Sequence, residues 1–118
     1  MSEKRKIIVV DDNIDLGKIT KEILSRIGGY FVIYCDSAAS ALSKIQYEFI
    51  PNLVITDLQM PIMNGLELTA ILKEKIPDLP VIILTGRPGL VPKDSPADLV
   101  IEKPYLVEQL LEKVKKLI

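Results

Sequence analysis

The stretch Leu53-Val54-Ile55-Thr56-Asp57-Leu58-Gln59-Met60-Pro61 decides the fold. An apolar run rich in β-branched residues and lacking polar alternation is the pattern of a strand buried on both faces of a parallel sheet. The run stops at a carboxylate, and a proline soon follows. Asp57 therefore falls at the strand's carboxyl end, which in open α/β sheets is the edge where ligands bind.

Working outward, the same kind of run recurs with helical periodicity between. Lys6–Val10 reads as a first strand, ended by Asp11-Asp12-Asn13. From Ile14 the apolar positions Leu16, Ile19, Ile23, Leu24 and Ile27 predict a helix face, with Asp15 near its start and Gly28-Gly29 as its stop. Tyr30–Cys35 is the second strand, and Asp36 or Ser37 caps a helix whose apolar face is Ala38, Ala41, Leu42 and Ile45. After Pro61 comes a loop containing Asn64-Gly65, then a helix with Leu66, Leu68, Ile71 and Leu72, closed by Pro77. Pro80–Leu84 is a fourth strand ending at Thr85-Gly86, and Leu99–Ile101 a fifth ending at Glu102-Lys103-Pro104. Leu106, Leu110, Leu111, Val114 and Leu117 mark the last helix, with Lys113, Lys115 and Lys116 near its negative dipole end.

Alternating strands and helices predict an α/β fold with a parallel sheet and right-handed crossovers. One segment breaks the alternation. Gly86–Asp98 carries Pro88, Pro92 and Pro96 with two glycines. A proline in a helix interior costs ~3 kcal/mol, so the fourth helix is expected to be short or missing, reduced to a loop or a single helical turn.

Composition narrows the function. A chain of 118 residues with 48% hydrophobic content suits one domain with one core, residues 1–118. Its apolar runs are too short for a membrane span, and Met1-Ser2-Glu3-Lys4-Arg5-Lys6 runs straight into a strand without a signal-peptide apolar region, so a cytoplasmic protein is expected. The net charge of −1, with both signs interspersed, gives no electrostatic footprint for nucleic acid. The single cysteine, Cys35, reads as a small buried hydrophobe rather than a reactive thiol.

In a parallel sheet the ends of successive strands share one edge. Asp11 and Asp12, Asp57, Thr85 and Lys103 should therefore converge there. Taken singly, Asp11-Asp12 suits an N-cap pair, Thr85 a strand-end residue and Lys103 a solvated cation. Together they place three carboxylates, a hydroxyl and an ammonium in a small volume. Clustered carboxylates repel one another unless a cation is present, and oxygen ligands without His or Cys suit Mg²⁺ or Mn²⁺. A divalent ion and Lys103 would draw a phosphate to the Asp57 carboxylate, which could attack phosphorus in line.

Asp11-Asp12, the Asp57-Leu58-Gln59-Met60-Pro61 run with Gly65, Thr85-Gly86 and Lys103-Pro104 together resemble the receiver domain of two-component response regulators. The resemblance spans essentially the whole chain and implies a CheY-like, doubly wound five-stranded sheet of order 2-1-3-4-5. It implies that Asp57 is the phosphoacceptor, that Asp12 binds Mg²⁺ directly and Asp11 through water, and that the Gln59 backbone carbonyl completes the metal site. Thr85 would hydrogen-bond the phosphoryl group and Lys103 would pair with one of its oxygens. Lys103-Pro104 is often a cis peptide in such domains. By the same resemblance Gln59 and Arg87 flank the pocket at positions that influence the lifetime of the acyl phosphate, and they read equally as solvated loop side chains; Met60 and Met63 read as loop anchors. The implied donor is a sensor histidine kinase or histidine phosphotransfer protein, since the chain has no His, and the implied output is a downstream protein target. Such a protein is not an enzyme in the usual sense, although it assists its own phosphorylation and dephosphorylation.

The sequence departs from that pattern twice. Val100 stands where receivers commonly carry an aromatic residue, and the proline-rich segment replaces the usual fourth helix. The phosphorylation chemistry carries over; the usual output face does not. Other classes fit less well. An aspartyl phosphohydrolase would want an acid where Gln59 stands, Asp11-Asp12-Asn13 would repel the phosphate of a flavodoxin-like carrier, and no Gly-rich loop ends in Lys-Ser or Lys-Thr. The rival reading is a phosphorylation-independent interaction module that keeps the receiver fold. The chain ends with its last helix, which fits either a stand-alone receiver acting by protein contact or a piece of a larger protein.

Overall fold

The structure, a computed structural model, describes residues 4–118, so the Met1–Glu3 part of the expected leaderless start lies outside the described residues. Five strands form one parallel sheet: β1 (Lys6–Val10), β2 (Phe31–Cys35), β3 (Leu53–Asp57), β4 (Val81–Thr85) and β5 (Leu99–Glu102), in the order β2-β1-β3-β4-β5. The order and the parallel pairing are those expected from sequence. The strands are Val- and Ile-rich because the inner ones are buried on both faces, so successive residues feed two different cores.

Ile7, Val9, Leu53, Ile55 and Ile82 point to one face, where α4 (Val107–Leu117) contributes Leu110 and Val114 and the first helical segment contributes Leu24. Ile8, Val10, Val54 and Val81 point to the other, against Ala38 and Ala41 of α2 (Ala38–Tyr47) and Leu68 and Leu72 of α3 (Gly65–Lys75). Helices thus cover both faces. Ser37 caps α2 through its side chain, and Asn64 with Glu67 forms a reciprocal capping box at the start of α3. Between β4 and β5 the backbone makes only a 3₁₀ turn, Pro88–Leu90, as the prolines predict.

The first helix corrects the sequence reading. It runs as α1 (Ile14–Glu22) and continues as a π-helical turn over Ile23–Ile27. The expected apolar face meets the core only in part: Leu24 is fully buried and Ile23 packs against the core, but Leu16 and Ile19 are 45% and 53% exposed, and Ile27 is exposed as well. The buried positions are Gly17, Thr20 and Leu24. Periodicity identified a stripe, but the helix is rolled so that this stripe borders a groove of about 420 Å³ opposite Pro104, Tyr105 and Val107. A hydrogen bond of 2.8 Å between the Thr20 and Tyr105 hydroxyls fixes that roll. Leu106, expected on the apolar face of the last helix, instead precedes α4 and is exposed.

Candidate functional site: an acidic pocket at the carboxyl edge

Each candidate side chain is delivered by a strand end. Asp11 follows β1, Asp57 is the last residue of β3, Thr85 the last of β4, and Lys103 directly follows β5, with a cis peptide joining it to Pro104. The register sets Asp57 beside Leu84 and Thr85 beside Glu102, so these ends lie side by side. Carboxylate oxygens of Asp11, Asp12 and Asp57 come within 4.8 Å of one another.

Lys103 is the counter-charge. Its Nζ lies 2.9 Å from Asp57 Oδ1 and 3.7 Å from Asp11 Oδ2. Three carboxylates and one ammonium leave the pocket short of positive charge, which is the electrostatic condition for taking up a divalent cation. Hard oxygen donors, with no nitrogen or sulfur ligand beside them among the described residues, fit Mg²⁺.

The three acids differ in environment. Asp12 is exposed, Asp57 is half-buried, and Asp11 is 3% exposed. Burial raises the Asp11 carboxyl above its ordinary value; the Asn13 amide and Lys103 oppose this, while Asp57 and Asp12 add to it. The Asn13 amide donates to Asp11 Oδ1 at 2.9 Å. The helix cap is Asn13, whose side chain accepts from the Leu16 amide, so neither Asp11 nor Asp12 serves α1 as its N-cap.

Thr85 is buried, and its Oγ1 accepts from the Arg87 amide at 2.9 Å. The Lys103 amide donates to the Thr85 carbonyl, tying β4 to the residue that supplies the ammonium. Gln59 is exposed in the turn after β3, and Arg87 is exposed beyond Thr85. Met60 and Met63 pack against the core as loop anchors. That turn is tightly built. The Gly65 amide donates to the Leu58 carbonyl, and a Cβ at Gly65 would meet the Asp57 carbonyl oxygen at 2.3 Å. Ile62 adopts φ 70° there, a left-handed conformation unusual for a β-branched residue.

Two residues in contact with this region were not singled out from sequence. Tyr34 donates its hydroxyl to the Asp11 carbonyl at 2.6 Å, and its ring occupies the space that a side chain at Gly17 would need. A glycine inside a helix was the available signal. Cys35 is buried and free, and burial raises its thiol pKa, which agrees with an inert hydrophobe.

A 2-1-3-4-5 sheet with an acidic cluster and a lysine at its carboxyl edge places the chain among doubly wound α/β domains that bind their ligand at that edge. The sequence pattern of the response regulator receiver domain matches residues 7–115. The response regulator receiver protein CpdR of Brucella abortus is 30% identical over 118 residues, 97% of each chain. The chain is 33% identical to a part of histidine kinase P4 of Formosa agariphila, spanning 98% of itself and 9% of that protein. It spans about half the length of several other regulators it matches. Among solved structures, response regulator TrrA of Thermotoga maritima, in complex with Mg(2+)-BeF, superposes with a TM-score of 0.88 at 33% identity, over 97% of this chain and 99% of that one. The chain belongs to the response regulator receiver domain family of two-component systems. The acidic cluster fits the Mg²⁺ site of such domains, and among the described residues no helix is long and apolar enough to cross a membrane.

Proposed function

We propose that the chain is one receiver module, residues 1–118, that accepts a phosphoryl group from a partner phosphohistidine onto Asp57 and thereby switches its contacts with a downstream protein. The observation that carries this reading is the Lys103–Asp57 contact of 2.9 Å inside a cluster of three carboxylates. Asp11, Asp12, Asp57 and the Gln59 backbone carbonyl would hold Mg²⁺. When bound, that ion neutralises phosphoryl oxygens and brings the incoming phosphate to the carboxylates despite their charge.

The chain's own residues divide the remaining work. An Asp57 carboxylate oxygen attacks phosphorus in line; the P–N bond to the donor imidazole breaks, its electron pair stays on that nitrogen, and solvent supplies the proton. The Lys103 ammonium, already beside Asp57, transfers its contact to a phosphoryl oxygen and stabilises developing charge. The Thr85 hydroxyl leaves the Arg87 amide and turns to the phosphoryl group. The protein is therefore a phosphoacceptor that assists its own modification rather than a turnover enzyme. The relatives support a partnership with histidine kinases, and TrrA's Mg(2+)-BeF complex supports a site for metal and tetrahedral anion together.

The test is intact mass after incubation with acetyl phosphate and Mg²⁺, beside Asp57→Asn and a metal-free control. An adduct dependent on Asp57 and on metal is expected. Failure to form it, together with failure to bind Mg²⁺ and beryllofluoride, would leave the phosphorylation-independent module, for which Asp57→Asn should not change partner binding.

A further inference from the structure

The end of β2 grips the Asp11 peptide from both sides. The Asp11 amide donates to the Cys35 carbonyl at 3.1 Å, and the Asp11 carbonyl accepts from Tyr34 Oη at 2.6 Å. With Asp11 Oδ1 held by the Asn13 amide, the backbone and one carboxylate oxygen are fixed, and the second oxygen faces Lys103 at 3.7 Å. To reach the Asp11 carbonyl the tyrosine ring must pass beneath α1. It does so at Gly17, where a Cβ would lie 2.2 Å from Tyr34 Cε1 and 2.8 Å from Cδ1. Glycine within a helix costs about 1 kcal/mol relative to alanine, so α1 gives up helical stability at the one position where the ring crosses. Gly17 is buried, and the backbone hydrogen bond from its amide to the Asn13 carbonyl runs through the same first turn.

We propose that Tyr34 is a positioning residue for the acidic pocket: its hydroxyl holds the Asp11 peptide so that the Asp11 and Asp12 carboxylates stand ready for a divalent cation, and Gly17 is small to admit it. Tyr34 touches neither carboxylate and acts through the backbone that carries both. Without the hydroxyl, the β1–α1 turn must be ordered at the moment the ion binds, and binding weakens by the cost of that ordering. The identity of the ion rests on the function proposed above; the Tyr34–Asp11–Gly17 geometry does not.

The test is a Mg²⁺ titration of wild type, Tyr34→Phe, Gly17→Ala and the double variant, followed by NMR amide shifts of Asp12 and Leu58 well below the melting transition. Urea denaturation without metal is run beside it. Tyr34→Phe should raise the Mg²⁺ Kd roughly threefold to tenfold, the value of one backbone-anchoring hydrogen bond. Gly17→Ala should weaken binding similarly by displacing the ring, yet add little to Tyr34→Phe, where the hydroxyl is already gone. Unchanged Mg²⁺ affinity in Tyr34→Phe, even with a lower urea midpoint, would make the hydroxyl a fold contact only and overturn the proposal. Additive losses in the double variant would overturn the role given to Gly17. Wild type failing to bind Mg²⁺ at all would overturn the reading of the pocket, and the proposal with it.

Discussion

Gly65→Ala should damage the site from behind while leaving every charged group in place. The new methyl would lie 2.3 Å from the Asp57 carbonyl oxygen, 3.1 Å from Leu58 Cα and 3.2 Å from the Asp57 carbonyl carbon. A real Cβ almost never approaches closer than 3.0 Å, so roughly 0.7 Å must be found by moving backbone. The turn has little room to give. The Gly65 amide is bonded to the Leu58 carbonyl at 2.8 Å, and the Asn64–Glu67 capping box fixes the start of α3. Overpacking of this kind costs ~1–3 kcal/mol, against less than ~1 kcal/mol regained from helix propensity. A net loss of about 1–2 kcal/mol corresponds to a fall in Tm of roughly 4–10 °C for a domain of this size. The chemical effect should be larger, because the displaced atoms are those of Asp57 itself. Misplacing a reacting group by ~1 Å can cost about a hundredfold in rate, so phosphorylation by acetyl phosphate should slow by roughly 10–100-fold. Urea denaturation and intact-mass time courses read the two effects separately. Gly86→Ala is the control, since a Cβ there meets nothing within 4 Å although it adjoins Thr85. A Gly65→Ala protein with wild-type stability and rate, or a Gly86→Ala protein equally impaired, would refute the reasoning.

Other outcomes follow from the same geometry. Lys103→Met removes the ammonium that neutralises Asp57 and Asp11, so Mg²⁺ should bind more tightly by calorimetry while phosphorylation slows by on the order of a hundredfold; weaker Mg²⁺ binding would show that the lysine organises the acids rather than competing with the ion. Because burial raises the Asp11 pKa in the folded protein, the folded state binds more protons than the unfolded one between the two pKa values, and this group's contribution to stability is lost as pH rises through that window. Metal-free wild type should therefore lose stability relative to Asp11→Asn as pH rises from the ordinary carboxylate range through the raised value, and a difference of opposite slope would contradict the burial argument. Ile62→Asn relieves a left-handed β-branched residue whose side chain is fully exposed, and should raise stability by about 0.5–1 kcal/mol in urea; a loss would mean that the Ile62 side chain has a partner in the fold.

The sheet was legible because buried parallel strands are written as continuous β-branched runs, and the site because parallel topology gathers strand ends on one edge. Nothing more than chain order was needed to bring Asp11, Asp57 and Lys103 together. The roll of α1 was not legible. Leu16, Ile19 and Ile23 share a face by spacing, but spacing does not say whether that face meets the sheet or the groove beside Tyr105. The core side of α1 is instead Gly17 and Thr20, which no hydropathy pattern marks as buried. Tyr34 was hidden for a related reason. Alternation along β2 says which face it occupies, but not that its hydroxyl reaches the next strand's carboxyl-terminal peptide.

The segment replacing a helix between β4 and β5 is pinned at both ends, and this constrains how the proposed phosphorylation can be read out. At its start the Arg87 amide rests on Thr85 Oγ1. At its end the Asp98 amide donates to the Val81 carbonyl at 2.9 Å, while the Asp98 carboxylate accepts from the Val81 amide at 2.8 Å and from Lys73 Nζ at 2.7 Å. Lys73 also donates to the Leu79 carbonyl, so the far end is tied to α3 and to the head of β4 together. A Thr85 hydroxyl that turns toward Asp57 must release the Arg87 amide, and only the near end is then free. Pro88, Pro92 and Pro96 limit the backbone freedom that release creates, so the change should be a shift of the Pro88–Leu90 turn rather than melting of the segment. The turn borders Val100, Lys93 and Gln109 around an open cleft of about 530 Å³ on the β5 side. Hydrogen exchange should rise at the Arg87 amide on phosphorylation and stay constant at Val81 and Asp98; loss of protection at both ends would mean that the segment opens as a whole and that the Lys73–Asp98 tie does not hold it.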